Sequence, residues 1–146
     1  MLFQESAGVP DIRRQRKVYP IDPFLARLPA RRAAGAHEPD ASRLAEAAIA
    51  LAIFRAVEGD AVDSFNSPDR LFFFRSRDGA EVDFVILPDS LAAESKYVDE
   101  ATRSEARAMV ANFGGGLLIT RTAIDPRAGV TIIPAAIFTW LLDQRG

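Results

Sequence analysis

Glu81-Val82-Asp83-Phe84-Val85-Ile86-Leu87, followed by Leu91-Ala92-Ala93-Glu94-Ser95-Lys96-Tyr97, reads as two strands of a hairpin. Asp78-Gly79 is a turn signal that feeds the first strand, and Pro88-Asp89-Ser90 turns the chain into the second. Upstream, Leu71-Phe72-Phe73-Phe74-Arg75 is a short run of strand-forming, buried character. Before it, Asp40 or Ser42 can cap a helix that runs to about Val57. Leu44, Ala48, Ile49, Leu51, Ala52 and Ile53 give that helix a wide apolar face, with Gly59-Asp60 as its stop and Ser67-Pro68 as a turn. Downstream, a second helix is expected over about Asp99 to Asn112, ended by Gly114-Gly115-Gly116. Strands at Leu117–Thr120 and Val130–Ile133 follow, and Pro134 suits the first turn of a closing helix through Phe138 and Leu142. Helix, three strands, helix, strand, strand, helix is an α/β order with a mixed sheet.

Composition narrows the chemistry. The 146 residues are the length of one domain with a real core, and 49% hydrophobic with 26% charged content is ordinary for a globular chain. No cysteine is present, which excludes disulfides, thiolate catalysis and every cysteine-bearing metal site. His37 is the single histidine, so paired-histidine metal sites are excluded too; it sits in a polar loop beside Glu38-Pro39 and reads as a surface residue. Carboxylates, amines, guanidinia and hydroxyls remain. No apolar run is long enough to span a membrane, and no secretory leader is visible at Met1–Glu5, so a cytoplasmic protein is expected.

Charge is unevenly spread. Residues 1–45 carry eight basic and five acidic groups, whereas 46–146 carry ten basic and fifteen acidic ones. The run Arg13-Arg14-Gln15-Arg16-Lys17 can meet phosphates, with Arg75, Arg77 and Arg103 as further candidates; the same run also reads as a solvated arm. Pro10, Pro20, Pro23 and Pro29 break any long helix in this part, so residues 1–39 are expected to be irregular. A short extended piece at Val18-Tyr19 and Ile21 and an apolar helical turn at Phe24-Leu25-Ala26 are the exceptions.

Three ionisable groups fall on core-forming strands. Glu94 and Lys96, two apart, share one face of their strand, and a hairpin of this length can bring Asp83 beside Glu94. Two carboxylates of this kind suit Mg2+ or Mn2+, which could activate water against a phosphodiester while Lys96 stabilises developing charge. Glu46, mid-helix among alanines, is a candidate third carboxylate. The same spacing equally suits a cross-strand salt bridge, and Glu46 a solvated helix position.

Several stretches together resemble one known family: Lys17-Val18-Tyr19-Pro20-Ile21-Asp22, Leu44-Ala45-Glu46, Phe74-Arg75, Gly79–Val85 and Glu94-Ser95-Lys96. The family is the uncharacterised C-terminal domain that follows an AAA-type ATPase module in bacterial and archaeal proteins. That domain is similar to the PD-(D/E)xK, restriction-endonuclease-like superfamily, with an αβββαβ core. The resemblance implies metal-binding and catalytic positions at Asp83, Glu94 and Lys96, with Glu46 as the first-helix acid. It implies a nuclease-like α/β domain over 40–146, with 1–39 linking to an ATPase or winged-helix part outside this chain. The implied partners are DNA and an AAA-type ATPase module, with Mg2+ or Mn2+ as cofactor; a homodimer is left open. A non-catalytic interaction or regulatory module of the ATPase is the alternative. Asp22-Pro23-Phe24 departs from the family, which more usually has glycine after the aspartate, and Ala45 stands where phenylalanine usually precedes the glutamate.

No phosphate-cradling Gly-x-x-x-x-Gly-Lys-[Ser/Thr] occurs, and the glycine triplet precedes a strand rather than opening a helix, so neither nucleotide fingerprint is present. Trp140, beside Phe138 and Leu141, reads as core or docking surface rather than a stacking platform for bases.

Overall fold

The chain is described by a computed structural model covering residues 2–6, 9–33, 35, 37–58 and 70–144. The predicted end of the first helix at Gly59-Asp60 and the Ser67-Pro68 turn lie outside the described residues.

Three antiparallel strands form the centre of the sheet: β3 (Leu71–Arg75), β4 (Glu81–Ile86) and β5 (Leu91–Lys96). Gly79 takes a left-handed φ of 90° in the β3–β4 turn, which its lack of a Cβ allows. Two further strands, β6 (Gly116–Thr120) and β7 (Val130–Pro134), pair parallel beyond β5. The result is a five-stranded mixed sheet flanked by helices, as the order of elements predicts.

Helix α2 (Ala41–Glu58) begins where Asp40 accepts the backbone N–H of Ser42 at 2.9 Å, so Asp40 is the cap. Its Ile49, Ala50 and Ile53 pack on one face of the sheet with Leu71, Phe73, Phe84, Ile119 and, from α4 (Ala135–Asp143), Phe138. Helix α3 (Arg107–Phe113) covers the other face, where Met109 joins Phe72, Val82, Val85, Leu118 and Ile132. Phe72 and Phe73 therefore feed opposite cores, which is why three consecutive phenylalanines can all sit in one strand.

The expectation of irregular structure throughout residues 1–39 is corrected. Strands β1 (Leu2–Ser6) and β2 (Val9–Lys17) form an antiparallel hairpin, and β1 joins β3 through the pair Gln4–Phe73. The sheet thus has seven strands, ordered β2-β1-β3-β4-β5-β6-β7. Proline rules out a helix here but not an edge strand, and β2 is the edge. A run of arginines lacks the alternation that marks a half-buried strand, yet exposed charge suits an edge because it discourages further pairing. Val18 to Pro20 continue without strand pairing, and a 3-10 turn at Pro23–Arg27 followed by α1 (Leu28–Arg32) replaces the single apolar turn expected there. Asp22 caps that turn by accepting Phe24 N–H at 2.9 Å.

Two smaller boundaries also move. The helix expected from Asp99 starts later, as a 3-10 turn at Arg103–Ala106 leading into α3, because Thr102 and Glu105 form a capping box. Asp99 is instead held by Arg121 and by the Thr122 hydroxyl. Pro134 closes β7 and caps α4 rather than lying inside its first turn. Gly114 ends α3 in a left-handed conformation, as expected of the triplet. His37 is exposed, as is most of Trp140. No helix among the described residues is long and apolar enough to cross a membrane.

Candidate functional site

A β-bulge builds the site. Phe72 faces Val85 and Phe74 faces Val82, so Asp83 and Phe84 together oppose the single residue Phe73. The extra residue frees Asp83 from regular pairing while Phe84 fills the core below α2. Asp83 then uses both carboxylate oxygens: Oδ2 accepts the Ser95 N–H at 2.9 Å, and Oδ1 accepts Lys17 Nζ at 2.7 Å.

Lys17 ends β2 opposite Leu2 and points back over the sheet, with Nζ 5.6 Å from the centre of the Phe73 ring. Besides Asp83, its ammonium meets Glu81 Oε1 at 2.7 Å and Glu46 Oε1 at 3.2 Å. Glu46 Oε1 also accepts the Tyr19 hydroxyl at 2.5 Å, and the Tyr19 ring lies 6.4 Å from that of Phe84. Helix α2, strand β4 and the N-terminal hairpin are thereby joined through one ammonium. Burial pulls the Lys17 pKa down, but the charge and hydrogen bond of Asp83, aided by Glu81 and Glu46, outweigh it and hold the pKa well above the usual lysine value. Burial raises the Tyr19 phenol far above its ordinary range, and its bond to Glu46 adds to the rise.

Glu94 and Lys96 do share a face, and Lys96 Nζ lies 3.1 Å from Glu94 Oε1. It is the α3 face: Glu94 pairs in register with Leu118, a residue of the α3-side core. Glu94 is 6% exposed, and its Oε2 is buried with no hydrogen-bond partner. Burial raises its pKa; Lys96 opposes that rise, and the nearby charge of Asp83 adds to it. Burial lowers the Lys96 pKa, but the bond and charge of Glu94 outweigh it, for a net rise.

Of the four predicted site residues, Glu46 and Asp83 meet at Lys17, whereas Glu94 and Lys96 form their own pair on the other side of the sheet. Glu46 is no solvated helix position, since it accepts from two side chains. Among the described residues no group of three or more acids or histidines is arranged to hold a metal ion. The oxygens around Lys17 stand 2.7 to 3.2 Å from Nζ. Those are ammonium hydrogen-bond lengths, against about 2.0–2.1 Å for Mg–O. With the ammonium in place, the donor set holds the lysine and not Mg2+.

No family model matches this chain, and no curated protein or solved structure does.

Of the basic residues considered for phosphate contact, Arg13, Arg14 and Arg16 lie exposed on edge strand β2, with Arg14 paired to Asp11 at 2.8 Å. Arg75 reaches Gln15 Oε1 at 2.5 Å, and Arg103 reaches Asp125 at 3.2 Å. Lys17 differs from them because its ammonium is shared by three carboxylates, Glu46, Glu81 and Asp83. Residue reading gave Lys17 to phosphate contact rather than to the acids, and missed Tyr19 and Glu81 as site members. The signal that could have found them is Lys17-x-Tyr19, two residues apart on extended chain and hence able to aim at one target.

Proposed function

We propose that this chain is a nuclease-like α/β module that serves an AAA-type ATPase as a non-catalytic interaction or regulatory domain. The observation that carries the non-catalytic part is the lysine in the acid cluster: Lys17 neutralises Glu46, Glu81 and Asp83 at hydrogen-bond distance. A water-activating ion needs open carboxylate oxygens, and both oxygens of Asp83 are engaged. The order α2-β3-β4-β5-α3-β6 supports a restriction-endonuclease-like core, and the resemblance of Lys17–Asp22 and Glu81–Lys96 to the ATPase-linked family supports the partner. A cytoplasmic setting accords with that partner.

Phosphodiester hydrolysis or DNA binding is the second reading. One observation favours it: Glu94 Oε2, buried beside Lys96 and unpartnered, retains an open acceptor. Arg13, Arg14 and Arg16 on the β2 edge would then face the nucleic acid.

Incubation of the chain with supercoiled plasmid, single-stranded DNA and RNA in Mg2+ or Mn2+ separates the two readings. No strand scission is expected, together with co-elution of the chain and an AAA-type ATPase module. Scission that disappears in Asp83→Asn would establish hydrolysis instead.

A further inference from the structure

We infer that Lys17 is the resident cation of the Glu46–Glu81–Asp83 cluster, and that its ammonium keeps a divalent ion out. The inference rests on the non-catalytic reading and deepens it, because it names what holds the site closed. Three carboxylates from α2 and β4 converge on one point, and that point is Nζ, between 2.7 and 3.2 Å from each. Convergence of like charges is unfavourable unless a cation is present, so the cluster and its cation form as a unit. Here the cation is covalently attached to the end of β2.

The attachment makes the hairpin the delivery arm. Backbone pairing ties β1 to the central sheet at Gln4–Phe73, reinforced by Gln4 Nε2 donating to Arg75 O at 2.8 Å. Lys17 and Tyr19 supply two further anchors, both on the acid cluster. Docking of the N-terminal hairpin and entry of a divalent cation are therefore mutually exclusive. The hairpin is an intramolecular plug, and removing its ammonium uncovers a carboxylate site with the oxygen ligands that hard cations take.

The test uses Mn2+ alone as probe, with calorimetry and paramagnetic broadening of the Ser95 amide, which donates to Asp83. Wild type is expected to show neither saturable heat nor Ser95 broadening. Lys17→Met is expected to bind Mn2+ roughly tenfold or more tighter, with Ser95 broadened, and Lys17→Met with Asp83→Asn to lose that gain. A folded Lys17→Met that, like wild type, binds no Mn2+ overturns the plug while leaving the non-catalytic reading intact. Wild type that binds Mn2+ as well as Lys17→Met overturns both. Should Lys17→Met fold only when Mn2+ is added, the inference is supported directly. Should it stay unfolded with and without Mn2+, the wild-type ammonium decides: protected Lys17 Nζ protons unmoved by millimolar Mn2+ support the plug, and displaced ones overturn it.

Discussion

Lys17 Nζ stands 2.7 Å from Asp83 Oδ1, joining the last residue of edge strand β2 to the bulge of β4, 66 positions away in the chain. The contact couples the N-terminal hairpin to the central sheet through charge, beside the Gln4–Phe73 pairing and the burial of Leu2 in the core. Both side chains are mostly withdrawn from water, so the pair is worth more than a surface ion pair.

Lys17→Met should therefore destabilise the fold by about 2 kcal/mol, since it leaves three carboxylates without their cation. Urea unfolding measures the loss. Adding Asp83→Asn should recover a substantial part, because one of the stranded charges goes too. Additive losses from the two substitutions would mean that the residues act independently.

The alkaline limb of stability follows from the same cluster. Folded Lys17 and Tyr19 both have pKa values above their ordinary 10.5 and 10.0. A raised folded pKa contributes stability that is complete below the ordinary value and is lost as pH climbs through the folded one. With Tyr97→Phe, Tyr19 is the sole phenol, and its ionisation in an absorbance titration should coincide with loss of circular dichroism. Ionisation near 10 with the fold intact would show that the Tyr19–Glu46 bond is not maintained.

Glu94 carries the opposite lesson. Burial raises its pKa above 4.5 even though Lys96 opposes the rise. The stability it contributes is thus complete below 4.5 and fades as pH rises through the folded value, so at pH 7 the buried charge is a liability. Glu94→Gln, always neutral, should equal or exceed wild type at pH 7 by up to about 1 kcal/mol. The difference should shrink on acidification, as thermal melts across pH would show. A large loss of stability in Glu94→Gln at pH 7 would make the Glu94–Lys96 pair a structural tie.

Much of the sheet was legible from residues. The Leu71–Arg75, Glu81–Leu87 and Leu91–Tyr97 readings fall within a residue of β3, β4 and β5, because buried apolar runs bounded by turn residues announce strands. The β1–β2 hairpin was not legible, since arginines on an edge strand carry no periodic signal. The site was half legible for a related reason. Spacing shows that Glu94 and Lys96 share a face, but it cannot show a bulge at Asp83. Nor can it show that Leu118 fixes Glu94 on the α3 side. Lys17 belonged to a basic run whose charge suggested phosphate, and only the tertiary pairing of β2 turns it toward acids.

The glycine triplet separates two roles that sequence treats alike. Gly114 has open space around it and serves the left-handed helix end. A Cβ on Gly116 would stand 2.2 Å from Ala92 O and 2.6 Å from Met109 Sδ. Gly116→Ala should consequently cost about 3 kcal/mol, against about 1 kcal/mol for Gly114→Ala. Chemical denaturation of the two variants checks the ranking, and equal losses would refute the close approach of β6 to β5.

A crystal structure grown in millimolar Mn2+, with anomalous data at the manganese edge, tests the internal-cation account most directly. The expected map shows Lys17 Nζ within hydrogen-bond reach of Asp83, Glu81 and Glu46, and no anomalous peak at the cluster. A manganese peak bound to Asp83, Glu81 and Glu46, with Lys17 displaced, would contradict it.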